Sequence, residues 1–333
     1  FFFDSGCSNR PSNMFQHVTE VADESQPLTD DEKEILEKLR EHIGEEGQKQ
    51  LTHESQVRYV RGYAFEAKNA KDGMSPKDKW LEVACAEADK TIAWRKEIDA
   101  NTLETRKLDK WDVFKTSWVS GVFGTDNQGH PIIVERFEDF KLDRILMFKE
   151  EDLVVYQARN MEYVQRRKAK VSEKLDRSIY KHVYILDCAG LGMDVMKARA
   201  HVQVIFHVAQ YYYPETLWRM FVTNAPMVFR MIWSACSMWI HPITRQKIKV
   251  LGGKALKELK SHGVEEHQIP SSIGGSWTPN KEFEEELKSD LARMEAEAQT
   301  PKDEPKDSEE PKKEDAPKEE GSKAEDEPAK PAE

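Results

Sequence analysis

Apolar residues recur along this chain in two rhythms that change near residue 110. Before it the spacing is helical. Thr29, Asp30, Asp31 and Glu32 form a capping-box pattern, with Ile35, Leu36 and Leu39 following three and four apart. This predicts a helix over 30–43, ended by Gly44. A second helix carries Val57, Tyr59, Val60 and Tyr63, and a third, over 76–98, carries Trp80, Leu81, Ala84, Ala88 and Ile92. After Lys110 short apolar runs alternate with helical patterns. Residues 117–123 and 132–137 predict two strands joined by the turn residues Asp126, Asn127, Gln128 and Gly129. A helix follows over 150–175, a buried strand over 182–186, and an amphipathic helix through Val195, Ala198, Val202, Ile205, Phe206 and Ala209. Further short strands are predicted at 220–223 and 248–251, and a helix begins at 255–259. Alternating strands and helices predict an α/β fold, a mostly parallel sheet covered by helices, behind a small all-α N-terminal unit.

One stretch departs from the usual surface pattern. Over 227–240, MVFRMIWSACSMWI, only Arg230, Ser234 and Ser237 are polar, and they fall on one narrow stripe. Phe229, Ile232, Trp233, Cys236 and Ile240 share one apolar side, and Val228, Met231, Ala235, Met238 and Trp239 the other. A helix apolar nearly all round is buried, or faces a greasy ligand or a membrane. Fourteen residues are too few to cross a bilayer, which takes about 20. A buried core helix is the plain reading; a helix at a membrane interface suits the two tryptophans equally.

Composition narrows the class. The chain has 333 residues, 38% hydrophobic and 33% charged, with a net charge of −11. From Pro301 to Glu333 there are 13 acidic residues against 7 lysines, a net of −6, so the folded part is only mildly acidic. That gives nucleic-acid binding no support. Cys7, Cys85, Cys188 and Cys236 are scattered without a C-x-x-C, which argues against a disulfide framework or zinc site and fits a reducing compartment. The chain begins FFFDSGCSNR, so its first residues are expected to be a processed or misassigned start. Three phenylalanines followed by Asp4 do not make a signal-peptide core, and a cytoplasmic location is expected. The lysine-, acid- and proline-rich tail over 299–333 and the N-terminal 1–28 are expected to be disordered, and a charged helix is expected over 279–298.

Catalytic constellations are scarce. No G-x-S-x-G, G-x-x-x-x-G-K-[ST] or H-E-x-x-H occurs, nor a G-x-G-x-x-G after a strand. Asp187 ends a predicted strand, where a lone carboxylate more often caps a loop than acts in chemistry. The histidines form no close cluster. Arg166, Arg167, Lys168, Lys170 and Lys174 suit an acidic lipid surface, but a solvated helix face is the commoner meaning.

Taken in order, VYILDCAGLG (183–192), YYPETLWRMFVTNAP (212–226), HPITRQKIKVLG (241–252) and IPSSIGG (269–275) closely resemble the CRAL-TRIO, or Sec-fourteen-like, lipid-binding domain. TDNQGHPIIVERF (125–137) resembles its opening hairpin, and RYVRGYAFEAKN (58–69) and IAWR (92–95) a divergent form of its helical N-terminal region. The resemblance implies a helical region at 29–105 and a lipid-binding domain at 106–278. It is nearest to animal members such as supernatant protein factor and the tocopherol transfer protein, with the charged tail where many of the former carry a GOLD domain. It implies no enzyme and no cofactor beyond a bound lipid, phospholipid or isoprenoid, held in a pocket floored by the sheet. Pocket candidates are Tyr184, Leu186, Phe206, Phe221 and Thr223. The 227–240 helix becomes a gate, with Phe229, Ile232, Trp233, Cys236, Trp239 and Ile240 as its working residues and a transient membrane surface as partner.

The resemblance also bears on the head group. Glu215 and Lys247 match positions that phosphatidylinositol-transferring members use, but the arginine that acts with them aligns with Tyr63. The Ser and Thr that hold phosphatidylcholine align with His182 and Tyr184. The plain alternative for Glu215 and Lys247 is a surface ion pair. A sixteen-carbon chain gains roughly 12 kcal/mol on leaving water, at about 0.8 per methylene. A charged hydrogen bond to a head group nets about 1.5–3 kcal/mol, so apolar contacts must hold the lipid and polar residues choose among lipids. The expected function is binding of one phosphatidylinositol-like or neutral isoprenoid lipid and its transfer between membranes. The alternative is a lipid-sensing adaptor that docks on a signalling protein such as a small GTPase or lipid kinase.

Overall fold

Thr29 begins the ordered helices as its sequence predicts: its hydroxyl accepts from Glu32 N (3.2 Å) and the Glu32 carboxylate accepts from Thr29 N (2.8 Å). The coordinates are a computed structural model that describes residues 24–277, apart from 72, 238–239, 241 and 253–254, together with residue 292. Residues 1–23, the charged helix expected over 279–298 (residue 292 excepted) and the tail expected over 299–333 lie outside the described residues. The chain divides into units Phe1–Gln299 and Thr300–Glu333, and every described residue belongs to the first.

Helix α1 spans Asp30–Gln48, α2 His53–Tyr63 and α3 Pro76–Glu97. Gly44, expected to end α1, instead kinks it at φ 61° and the helix resumes. Ile35, Leu39, Val60, Ala84 and Ala88 fill the core of this region with Tyr59, whose hydroxyl donates to Thr91. The helical region is not a free-standing bundle. Trp94, Ala100 and Leu103 share a second core with Ala158, Met161, Val208 and Tyr213, and Trp94 stacks on Tyr212 at 3.8 Å.

After α4 (Trp111–Lys115), strands β1 (Ser120–Thr125), β2 (Pro131–Arg136), β3 (His182–Asp187), β4 (Leu217–Thr223) and β5 (Ile248–Val250) form one sheet in the order β1-β2-β3-β4-β5. β1 and β2 pair antiparallel and the remaining neighbours are parallel. The first strand starts three residues later than its pattern suggests, and β4 three earlier, taking in Leu217, Trp218 and Arg219. Asp126 fixes the hairpin turn by accepting from Gln128 N and His130 N.

Because β2 to β5 lie in chain order, right-handed crossovers put all their connecting helices on one face. Those helices are α5 (Leu142–Ile145), α6 (Glu150–Leu175), α7 (Arg199–Tyr211), α8 (Met227–Cys236) and α9 (Pro242–Gln246). The packing agrees. Val164 of α6 meets Val122 and Ile133, while Val228 and Phe229 of α8 meet Leu186, Met220 and Val222. The opposite face, with Ile132, Val134, Val183, Ile185 and Phe221, is closed by α10 (Ala255–Ser261) and by Val264, Ile269, Ile273 and Trp277.

That closing segment turns back on itself through IPSSIGG. Gly274 takes φ 93°, and Gly275 N donates to Pro270 O while Trp277 N donates to Ile269 O. A Cβ on Gly275 would fall 2.0 Å from the Ile269 carbonyl oxygen, whereas one on Gly252 meets nothing within 4 Å. Gly275→Ala should therefore cost about 1–3 kcal/mol through forced backbone movement, with Gly252→Ala near neutral, in paired urea-denaturation curves. Equal midpoints would mean that the segment moves aside freely.

Candidate functional site

The apolar stretch that begins at Met227 forms α8, entered through Pro226. Its faces now have partners. Val228 and Phe229 are each 8% exposed and press on the β3–β4 face; Trp233 is half-buried and stacks on Phe229 at 6.2 Å. Met227 and Met231 are 71% and 60% exposed, with Arg230 and Ser234 beside them. The stripe of Phe229 and Trp233 is therefore the inner one. Val228, grouped by periodicity with Met231, turns inward as well. The helix stops at Cys236 rather than 240. Ser237 N closes the last turn on Trp233 O, and the Arg245 guanidinium donates to the Ser237 and Ile240 carbonyls, a cation at a helix C-terminus. Ile240 is half-buried beyond the helix; the side chains of Ile232 and Cys236, and all of Trp239, lie outside the described residues.

The five pocket candidates separate. Tyr184 and Leu186 lie on the α8 face, in one cluster with Met220, Val222, Val228 and Phe229. Phe221 is paired with Ile185 and sits in the opposite core, so it does not floor that side. Thr223 pairs with Asp187 on that same opposite side and offers its hydroxyl to Asp187 Oδ1. Strand alternation places residues two apart on one face, so Phe221 and Thr223 cannot join Tyr184 and Leu186. Phe206 of α7 is 51% exposed. Towards β1 the α8 face continues into a small cleft lined by Lys115, Val122, Ile133, Asn160, Tyr163 and Val164 among others. Asp187 caps loops as expected: it accepts from Ala189 N, Asn224 Nδ2 and Ser272 Oγ.

The head-group candidates do meet, but buried. Lys247 Nζ lies 2.9 Å and Lys181 Nζ 2.8 Å from the same Glu215 Oε1, and both lysines are almost fully enclosed. Glu215 itself takes φ 55°. Burial pushes its carboxyl up, but Lys247 and Lys181 together pull it down to about 2. Lys247 is lowered by burial, with Glu215 opposing. Around this triad, Lys168 Nζ donates to Tyr180 O and Arg58 to Pro214 O. Burial, then Arg58, hold Lys168 well below its usual value. Burial, then Lys168, do the same to His182, whose Nδ1 has no partner among the described residues. Tyr184, in contrast, bonds Glu135. Lys181 and Arg58 were given no role by the sequence reading, and Lys168, read there as part of a run suited to an acidic lipid surface or a solvated helix face, is buried instead. A signal for Lys181 exists: Lys181, Glu215 and Lys247 each sit just before adjacent parallel strands, and His182 N donates to Thr216 O. Parallel register brings the starts of neighbouring strands together. Tyr63, at the missing arginine's place, packs on the helical core.

Among the described residues no group of three or more His, Cys, Asp or Glu side chains has metal-site geometry, and no helix is long and apolar enough to cross a membrane.

Residues 115–275 match the CRAL/TRIO domain. The chain is 30% identical over 192 residues to the phosphatidylinositol/phosphatidylcholine transfer protein SFH11 of Arabidopsis thaliana, covering 56% of this chain and 51% of that protein. It is 23% identical over 257 residues to the SEC14 cytosolic factor of Kluyveromyces lactis, covering 74% and 79%. Against the plant relatives the chain spans about half of their length or less. The crystal structure of Sfh5 shares the fold, with a TM-score of 0.50 at 14% identity, over 80% of this chain and 99% of that one. Residues 115–275 are therefore a CRAL-TRIO domain of the Sec14-like kind.

Proposed function

We propose that this chain binds one lipid on the β3–β4 face beneath α8 and exchanges it when α8 lifts at a membrane. The observation that carries the reading is the division of α8: Val228 and Phe229 buried on the sheet, Met227 and Met231 bare on the outside. A helix apolar on both sides can trade its sheet contact for a lipid one at little loss. The relatives' description as phosphatidylinositol/phosphatidylcholine transfer proteins favours a phospholipid over an isoprenoid. Transfer needs no catalysis: the lipid leaves as it entered.

Glu215 and Lys247 remain the residues proposed to choose the head group. With Glu215 already shared between two lysines, the triad carries a net positive charge, and a phosphate drawing on Lys247 competes with Glu215 for it. This internal satisfaction also favours the second reading, a lipid-sensing adaptor whose pocket seldom exchanges. Native mass spectrometry of chain purified from a eukaryotic host separates them: a lipid that exchanges with added vesicles supports transfer, and one that stays while a signalling protein co-purifies supports the adaptor.

Met231→Asp should leave the thermal transition nearly unchanged and slow vesicle-to-vesicle lipid transfer about ten-fold or more, since it removes an exposed apolar side chain of roughly 1.5–3 kcal/mol burial value. Phe229→Asp should lower the melt as well. Wild-type transfer by Met231→Asp would remove α8 as the moving element. For the triad, the folded Glu215 carboxyl lies below its ordinary 4.5, so its stabilisation is present above about pH 4.5 and is lost as pH falls toward 2. Glu215→Gln should therefore be about 3 kcal/mol less stable at pH 7, with the gap closing on that acid limb. Parallel stability–pH profiles would mean that Glu215 is not held ionised.

A further inference from the structure

His130 is enclosed between two carboxylates that come from different parts of the chain. Asp126, four residues back in the β1–β2 turn, places Oδ2 2.9 Å from Nδ1. Glu24, in the segment ahead of α1, places Oε1 3.1 Å from Nε2. The imidazole is 4% exposed and the two acid side chains 0% and 1%. Glu24 Oε1 has nothing else to bond among the described residues, while its Oε2 accepts from Tyr180 N at 2.9 Å. Trp218 of β4 stacks on the imidazole at 4.7 Å.

A neutral imidazole carries one N–H, so it donates to one of these acids and turns a lone pair on the other. Only the imidazolium serves both. With the ring neutral, one enclosed carboxylate has lost its donor, and a buried charge without its partner is strongly destabilising. The other groups around the ring leave the proton on it. His182 of β3 is pushed well below its ordinary value by burial, then by Lys168. Lys168 acts on Glu24 and bonds Tyr180 O. Lys181 and Arg219 lie over the Trp218 ring, at 5.6 and 5.4 Å, and Arg177 donates to Gln128 O on the turn. Burial lowers His130 itself, but Asp126 and Glu24 together outweigh it, and the net shift is upward.

The segment that carries Glu24 is held at further points. Arg61 of α2 donates to Gln26 O and Pro27 O, pairs with Glu32 in the first turn of α1, and donates to the Tyr180 hydroxyl. Residues 24–28 thus form a strap from α1 past Tyr180 to the hairpin, with Glu24 and His130 as its clasp. Tyr180 is next in the chain to Lys181, so the strap lies at the edge that holds the triad of Lys181, Glu215 and Lys247.

We propose that His130 is a proton-dependent latch: its imidazolium clasps the strap over the charged edge, and loss of the proton frees Glu24 and lifts the strap from Tyr180. The latch works whether or not α8 opens. Its direction follows from the chemistry of the clasp. The folded His130 titrates above its ordinary 6.5, so the latch is fully closed below pH 6.5 and is lost as pH rises through the folded value.

The test uses the full chain with nitrogen-labelled histidines, followed by NMR from pH 6 to 9, with His130 assigned by its absence in His130→Gln. Hydrogen-exchange mass spectrometry over the same range, corrected for the intrinsic effect of pH, reads peptides covering 24–36 and 177–182. His130 should titrate above 6.5. Both peptides should lose protection about ten-fold or more across that titration, while a peptide from α3 keeps its own. Glu24→Gln should lower the His130 midpoint by about one pH unit or more and leave the strap poorly protected throughout. His130→Gln, which cannot titrate, should show protection that does not vary with pH. A His130 midpoint below 6.5, or wild-type strap protection unchanged from pH 6 to 9, overturns the proposal.

Discussion

A sheet whose parallel strands follow one another in chain order cannot share its crossovers between two faces. Here that constraint gathers α6, α7 and α8 on one side of β2 to β5 and leaves the other for the C-terminal segment. The two faces then have different fates. One is sealed by α10 and the turn at Gly274 and Gly275, with Phe221 and Ile185 in a conventional core. The other is covered by crossover helices, and the last full one, α8, carries bare Met227 and Met231 on its outer side beside Arg230 and Ser234. On the proposed reading it is the cover of this second face that lifts.

The same parallel order sets where polar chemistry falls. The starts of β3, β4 and β5 bring Lys181, Glu215 and Lys247 within salt-bridge distance at one edge. Their opposite ends release the loops that carry the bare methionines. Buried charge at one edge and exposed apolar surface at the other are separated by the length of the strands. The helical region is tied to the charged edge: Arg58 of α2 donates to Pro214 O, and Gly62 lies against Pro214 and Glu215.

Much of this was legible in the sequence, for reasons that differ by residue. The capping box at Thr29, the turn at Asp126 and the β-branched run of β3 are local signals, and the structure follows them. Gly44 misled because a glycine that permits φ 61° serves a kink as well as a stop. The α8 helix was readable, but not its end at Cys236, which depends on Arg245 reaching back to cap it. Phe221 and Thr223 were placed with Tyr184 and Leu186 because all four belong to buried strands; only register against β3 shows which face each takes. Lys181 went unmarked and Lys168 was grouped with a solvated face because burial of a cation is decided by tertiary partners, here Glu215 and the Tyr180 carbonyl.

The central claim is that lipid lies between α8 and the β3–β4 face. The most direct measurement is photocrosslinking with a phosphatidylinositol whose acyl chain carries a diazirine, loaded from vesicles and mapped by peptide mass spectrometry. The account predicts adducts on peptides containing Tyr184, Leu186, Met220 and Phe229, and none on those containing Phe221's partners Leu259 and Ile273. Labelling of the α10 side, or of surface peptides alone, would contradict it.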